Sequence, residues 1–195
     1  MSAGDLHRRL RGATAGVHAA LERDLGWERR VATRAGYAAL LARLRGFHAA
    51  YEPAIEAALA DDGFLAPRLR LARLDADLVH LGLAPEAPAA LARPQPIRLD
   101  GPAAALGALY VLEGSTLGGQ LIGRHVAGLH GLGIDGLRYY RAHGPETGRM
   151  WSAFRARLDG FAGEPAAEAV LTAAAVATFE ALRVWLCDTA AARAA

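Results

Sequence analysis

Apolar side chains recur at three- and four-residue spacing along most of this chain, and this spacing predicts amphipathic helices. In the first such segment the apolar stripe is formed by Leu6, Leu10, Ala13, Val17 and Leu21. Alanine and leucine dominate, whereas the β-branched residues that favour strands are sparse. The chain is therefore predicted to be all-helical. The main predicted helices are 5–25, 33–59, 67–82, a glycine-rich helix that begins near residue 100, 145–161 and 165–192.

Local signals mark the ends of these helices. Asp5 is a suitable N-cap for the first helix, and Pro67 suits the first turn of the third. Prolines within 85–96 and glycines within 128–136 mark two connectors. Both connectors are short enough for one compact unit, so we expect a single domain over residues 1–195.

Residues 107–125 predict a helix although they contain five glycines. A glycine inside a helix costs about 1 kcal/mol relative to alanine, which indicates a compensating use. At about 100° per residue, Gly107, Gly114 and Gly118 lie within about 40° of one another. A strip of helix without side chains predicts that another helix or a flat ligand approaches the backbone closely.

Composition and charge narrow the class of protein. With 195 residues, 53% of them hydrophobic, the chain can bury a substantial core. It contains no uninterrupted apolar run near the roughly 18 residues of a membrane span, and its first residues do not resemble a signal peptide. A single cysteine, Cys187, fits a reducing compartment, so we expect a cytoplasmic protein that does not bind membranes.

The formal net charge is +2, and the positive charge is spread along the chain without a basic tail. This pattern gives no support for nucleic-acid binding. A modest positive bias, with a pI near 9.0, suits a small anionic ligand or an acidic protein partner.

His18 is the histidine whose neighbours best indicate a ligand site. Arg11 lies seven residues earlier, about 20° away around the helix and about 10.5 Å along it, and Thr14 lies between them. A neutral imidazole can bind a metal, and a guanidinium can hold a carboxylate. This face would suit a metalloporphyrin with carboxylate arms; alternatively, Arg11 is a surface charge and His18 a boundary residue.

Several segments together resemble one known family. Residues 10–22 resemble the proximal helix of heme oxygenases, and residues 109–119 resemble their kinked distal helix in its bacterial form. Residues 139–144, 148–154 and 178–182 are similar to the same bacterial branch. The similarity extends over about residues 6–187. It implies an all-α, heme oxygenase-like helical bundle with heme b between the first helix and the glycine-rich distal helix.

The resemblance implies roles for individual residues. His18 falls at the proximal iron ligand and Arg11 at a contact to a heme propionate. Gly114 and Gly118 fall where the distal backbone crosses the heme face. Further positions implied to contact the heme are Thr14, Tyr110, Gly119, His125 and Arg155. By helix spacing, Glu22 is a candidate to fix the second nitrogen of the His18 ring.

One position departs from the family pattern. Animal-type heme oxygenases carry an aspartate on the distal helix that organises water beside bound oxygen, and the alignment places Ser115 there. We therefore assign catalytic positions to Gly114, Ser115 and Gly118, and how protons reach the oxygen stays open. Two neighbouring features have simpler interpretations: Glu113 as a structural hydrogen-bond acceptor, and His48 with Glu52 as a solvated or packed pair.

The resemblance implies that O2 and external electrons open heme to biliverdin, carbon monoxide and ferrous iron. The electrons would come from a ferredoxin or a flavin reductase. The product would either release iron for the cell or supply biliverdin to a bacterial phytochrome. Two alternatives stay open: a heme or biliverdin carrier or sensor with the same fold, and a non-heme di-iron enzyme of the same superfamily.

Overall fold

Helices form all the regular structure in the computed structural model, which describes residues 5–95 and 97–187. The predicted all-α fold is confirmed. In chain order the helices are α1 (Asp5–Leu25), α2 (Trp27–Arg30), α3 (Arg34–Leu59), α4 (Asp62–Leu65), α5 (Leu71–His80), α6 (Ala87–Ala90), α7 (Gly101–His130), α8 (Arg138–Arg141), α9 (Thr147–Asp159) and α10 (Pro165–Cys187). A 3-10 turn over Gly144–Glu146 precedes α9.

The predicted start of the third helix is wrong. Pro67 lies in a turn after α4, and α5 begins only at Leu71. The reason is a contact from another helix: the Glu52 carboxylate of α3 accepts the backbone N–H groups of Arg70 at 2.7 Å and Leu71 at 3.3 Å. The first N–H groups of a helix have no partner within the helix, and here the Glu52 carboxylate supplies one.

Other boundaries agree more closely with the sequence pattern. Thr33 caps α3 by accepting the N–H of Gly36, and α7 ends at a left-handed glycine, Gly131, with φ of 63°. The four-residue helices α2, α4, α6 and α8 were not predicted. The proposed capping side chain of Asp5 and the predicted helix beyond Cys187 lie outside the described part of the chain.

The long helix α7 packs against α10 and α3, while α1 packs against α10 and α9. Apolar side chains from these helices meet in one core, where Leu10, Leu41, Leu106, Phe154 and Leu171 have no solvent exposure. α10 thus supports both α1 and α7 and sets the distance between them.

The glycine strip of α7 serves two different purposes. A Cβ atom added at Gly107 would lie 2.2 Å from the Leu171 carbonyl oxygen and 2.9 Å from the Ala174 Cβ of α10. Here the missing side chain allows a close helix–helix contact. At Gly114 and Gly118 an added Cβ would meet no heavy atom within 4 Å, so this part of the strip faces open space.

Among the described residues, α10 alone has the length and apolarity of a membrane span, with a mean hydropathy of 1.6 over its most apolar stretch. A core helix can meet the same criterion. Leu171 and Ala175 of α10 are fully buried, and the helix packs on α1 and α7. About 33% of that apolar stretch is buried inside the protein.

Candidate active site

A cavity of about 570 Å³ lies between α1 and α7. Three helices besides α1 contribute to its wall, and both polar and aromatic side chains reach it. The lining residues are His7, Arg11, Thr14, Ala15, His18 and Leu21 of α1, Tyr110, Val111, Gly114 and Ser115 of α7, Trp151 of α9, and Phe179 and Leu182 of α10.

The His18 side chain is half exposed, with 51% of its surface accessible, and its ring borders the cavity. The Phe179 ring meets it edge-on with 5.3 Å between ring centroids, which limits its orientations. Its Nε2 lies 3.6 Å from Glu22 Oε1, which is longer than a hydrogen bond. The imidazole is therefore held by packing on one side and remains accessible from the cavity.

Arg11 and Thr14 extend the polar wall formed by α1, and Tyr110 reaches the cavity from α7. The Thr14 hydroxyl donates to the Leu10 carbonyl at 2.9 Å. Burial raises the pKa of Tyr110, and a hydrogen bond with the Thr14 side chain partly opposes that rise. Tyr110 is therefore a neutral phenol at neutral pH, and the Arg11 guanidinium is the fixed positive charge of this wall.

The opposite wall is formed by the backbone of α7 at Gly114 and by Ser115. The Ser115 hydroxyl donates to the Leu112 carbonyl at 2.6 Å. An added Cβ at Gly114 would enter open space, so backbone rather than a side chain faces the ligand volume here. Such a surface admits a flat molecule close to the helix.

Four of the predicted heme contacts are not in the lining of this cavity. Gly118 is exposed one turn beyond Gly114, and Arg155 is exposed with its guanidinium 3.4 Å from the Ser152 hydroxyl. The position of Gly119 is explained by packing, because an added Cβ would lie 3.1 Å from the ring of Tyr140. His125 meets Trp27 edge-on at 5.2 Å between ring centroids.

His7 also lines the cavity, although it was not among the predicted contacts. It lies eleven residues before His18, which places it about 20° from His18 around α1. The same spacing rule that singled out Arg11 would therefore have found it. Its ring meets Tyr110 at 6.2 Å and Trp151 at 5.6 Å between centroids, both edge-on.

A line of buried polar groups runs behind Ser115. The Ser115 side chain interacts with Tyr139 and lowers its pKa in part, and the Tyr139 hydroxyl lies 3.4 Å from His48 Nε2. His48 Nδ1 lies 2.7 Å from Glu52 Oε1. Burial raises the pKa of Tyr139, which therefore stays protonated at neutral pH. His48 and Glu52 are thus a packed, hydrogen-bonded pair that connects α3 to α8.

Glu113 lies in a second buried cluster, next to Gly114 in sequence. Its carboxylate is 3.4 Å from Arg68 Nε and 3.6 Å from His143 Nε2. Burial raises the pKa of Glu113, while the charges of Arg70, Arg68 and Arg73 lower it in part. The cluster faces away from the cavity lining, which fits a structural role for Glu113.

We expect His143 to make stability pH-dependent. Burial and the charges of Arg70, Arg73 and Arg68 lower its pKa from 6.5 to about 4, so the folded protein holds this ring neutral. As the pH falls from about 6.5 to about 4, the unfolded chain binds a proton that the folded chain does not. Folding should lose up to about 2 kcal/mol at pH 5 relative to pH 7 from this group.

Urea unfolding at pH 7 and pH 5 measures this loss, and His143→Gln should reduce it. His80→Gln is the matched control, because His80 is exposed at the end of α5. An identical pH dependence in wild type and His143→Gln would contradict the assignment.

Within the described residues, no three histidine, cysteine, aspartate or glutamate side chains gather as a metal-ligand set. The di-iron alternative requires several carboxylates and histidines facing one another. The described part of the chain offers no such set to support it.

Comparisons with known proteins agree with this architecture. A family profile for heme oxygenase matches residues 4–188. The fold is similar to that of the NO- and CO-bound heme oxygenase from Neisseria meningitidis, with a TM-score of 0.71, 24% identity, and coverage of 93% of this chain and 89% of that chain. It is also similar to heme oxygenase 2 from Chlamydomonas reinhardtii without heme, with a TM-score of 0.74, 22% identity, and coverage of 94% and 96%.

A search of curated protein sequences gives no significant match. At these identities the two structures establish a shared fold, whereas the profile spans nearly the whole sequence. The chain belongs to the heme oxygenase family.

Proposed function

We propose that this protein is a heme oxygenase that opens heme b to biliverdin, carbon monoxide and ferrous iron with O2 and external electrons. Family membership supports heme as the substrate. The observation that carries the proposal is the cavity between α1 and α7, which presents an accessible imidazole on one wall and bare helix backbone on the other.

The residues present fit a metalloporphyrin. A cavity of about 570 Å³ lies within the roughly 300–1,000 Å³ range of small-molecule sites, and apolar walls with a few polar groups are typical of such sites. The bare surface at Gly114 suits a flat ring, and Arg11 is placed to hold a carboxylate at the ring edge. When bound, heme supplies the iron that binds and reduces O2.

Each wall then has a distinct task. His18 would hold the heme iron, and the edge-on contact with Phe179 limits the orientations of its ring. On the opposite side the backbone at Gly114 would face the ring directly, because no side chain lies there. Thr14 lies between His18 and Arg11 on α1, and Tyr110 of α7 interacts with the Thr14 side chain.

We propose that protons are held and passed by the buried line behind Ser115. In this chain a serine occupies the position of the aspartate in animal-type relatives. Ser115 borders the cavity, Tyr139 interacts with it from behind, and His48 and Glu52 extend the line into the core. The Tyr139 hydroxyl is the central group of this line, because it carries a proton at neutral pH and lies 3.4 Å from His48 Nε2.

Tyr139→Phe should slow ring opening by at least about tenfold while leaving heme affinity within about twofold, since it removes one proton donor and no cavity-lining atom. Single-turnover absorbance and a solvent isotope effect measure the change. Tyr140→Phe is the matched control, because it removes the hydroxyl of the adjacent buried tyrosine, which lies outside this line. Equal rates of ring opening in wild type and Tyr139→Phe would contradict a proton path through Tyr139.

Partner and location proposals rest on charge and family alone. An acidic ferredoxin or a flavin reductase would supply electrons to this arginine-rich chain in the cytoplasm, and a bacterial phytochrome is one candidate to receive biliverdin. A second function, a heme or biliverdin carrier or sensor, is favoured by one observation: Ser115 stands where a catalytic aspartate is found in animal-type members.

One experiment separates the two functions. Hemin is titrated into the protein, and the complex is then exposed to ascorbate or a ferredoxin system in air. Saturable one-to-one binding followed by formation of a bile pigment supports the oxygenase. Binding without ring opening under several reductants supports the carrier or sensor, and the absence of saturable binding would contradict both.

A further inference from the structure

The end of the cavity beyond Arg11 carries the imidazole of His7, which has no role in the proposed reaction. His7 lies one turn before Arg11, about 6 Å along α1, and about 16.5 Å from His18. It borders the cavity, and its ring meets both Tyr110 and Trp151 edge-on. Its ring nitrogens have no hydrogen-bond partner among the described residues. A polar group in this position can therefore accept a partner that enters with the ligand.

The charged groups near His7 lie on its own helix, α1, and on α9, which packs against α1. Burial lowers the pKa of His7, the guanidiniums of Arg155 and Arg11 lower it further, and Asp159 opposes them. Tyr110, the remaining titratable group in contact, stays a neutral phenol because burial raises its pKa. In the free protein His7 is therefore neutral at neutral pH, and two guanidiniums leave this end with an excess of positive charge.

A ligand carboxylate that enters this end of the cavity would instead favour the protonated form of His7. It would offset the charges of Arg11 and Arg155 and would offer an acceptor to the imidazole. An opposite charge within about 4–6 Å favours the charged form of a titratable group. The carboxylate and a proton would thus each favour binding of the other.

We propose that His7 takes up a proton from solvent when a ligand carboxylate enters this end of the cavity, and that it is a proton-coupled anion contact beside Arg11. The inference rests on the proposed function and adds a property of the site. The site would select porphyrins with ionised carboxylates, and its affinity for them would increase as the pH falls. The proton is gained by an imidazole nitrogen, and no bond of the ligand changes.

The sign of the effect follows from linkage. Between the pKa of His7 in the free protein and its higher pKa in the complex, affinity falls as the pH rises. The slope approaches about tenfold per pH unit for one coupled proton. Below the lower pKa and above the higher one, His7 contributes no pH dependence.

The test uses zinc protoporphyrin IX and its dimethyl ester, titrated by fluorescence from pH 6 to pH 8.5. Wild type should bind the diacid more tightly at low pH, and His7→Gln should lose most of that dependence. The ester should bind both proteins alike, with little pH dependence. His80→Gln, which changes an exposed histidine at the end of α5, should behave like wild type.

Proton NMR of the His7 ring in wild type, free and with zinc protoporphyrin IX, gives a second measurement that does not depend on a variant. We expect a higher pKa in the complex. Parallel pH curves for wild type and His7→Gln, or an unchanged His7 pKa, would overturn the inference while leaving the heme site intact. Failure of wild type to bind either porphyrin would instead overturn the proposed function.

Discussion

Replacing His18 by alanine should lower the rate of heme ring opening by about a hundredfold or more. The side chain is half exposed and borders the cavity, so its loss would remove the proposed iron ligand without opening a hole in the core. Loss of groups that merely orient a metal ligand typically costs 10–100-fold, and loss of the ligand itself should cost at least as much. Bile pigment formed per minute under a fixed reductant measures the change.

The control for His18→Ala is His125→Ala. His125 is also exposed, but its ring packs against Trp27 and does not line the cavity. We expect its activity to stay within about twofold of wild type. A His18→Ala enzyme with near-normal turnover would mean that another residue holds the iron.

Replacing Gly114 by leucine should abolish high-affinity hemin binding and leave the protein folded. An added Cβ at Gly114 meets no heavy atom within 4 Å, so the new side chain would extend into the cavity rather than into the core. Removing a glycine from a helix interior also gains roughly 0.5–1 kcal/mol. Hemin titration and thermal unfolding together measure the two effects, which we expect to have opposite signs.

Gly107→Ala is the matched control on the same helix face. Its Cβ would lie 2.2 Å from the Leu171 carbonyl oxygen, and backbone atoms cannot move aside as a flexible side chain can. We expect a loss of about 2–3 kcal/mol of folding free energy, typical of overpacking in a core. Unimpaired hemin binding by Gly114→Leu would contradict the placement of the ligand against α7.

Local signals were sufficient to predict the long helices. α1, α3 and α7 begin and end close to the residues that their apolar spacing and caps indicate. The start of α5 could not be predicted from nearby sequence. Its first N–H groups are satisfied by Glu52, which lies on another helix, so that boundary is set by tertiary structure.

Local spacing likewise predicts only some of the residues of the candidate site. His18, Arg11 and Thr14 share one helix face, so the 3.6-residue period was enough to bring them together, and His7 obeys the same period. The line from Tyr139 through His48 to Glu52 joins residues 91 positions apart, which no local spacing can reveal. The glycines of α7 were recognised as a group, but only packing separates Gly107 and Gly119 from Gly114.

The most direct test of the central claim is the electron paramagnetic resonance and absorption spectrum of the ferric hemin complex in wild type and in His18→Ala. The measurement is repeated on the variant with added imidazole. We predict a spectrum typical of histidine ligation in wild type, its loss in His18→Ala, and its recovery when imidazole replaces the missing ring. Identical spectra in wild type and variant would contradict a heme held by His18 between α1 and α7.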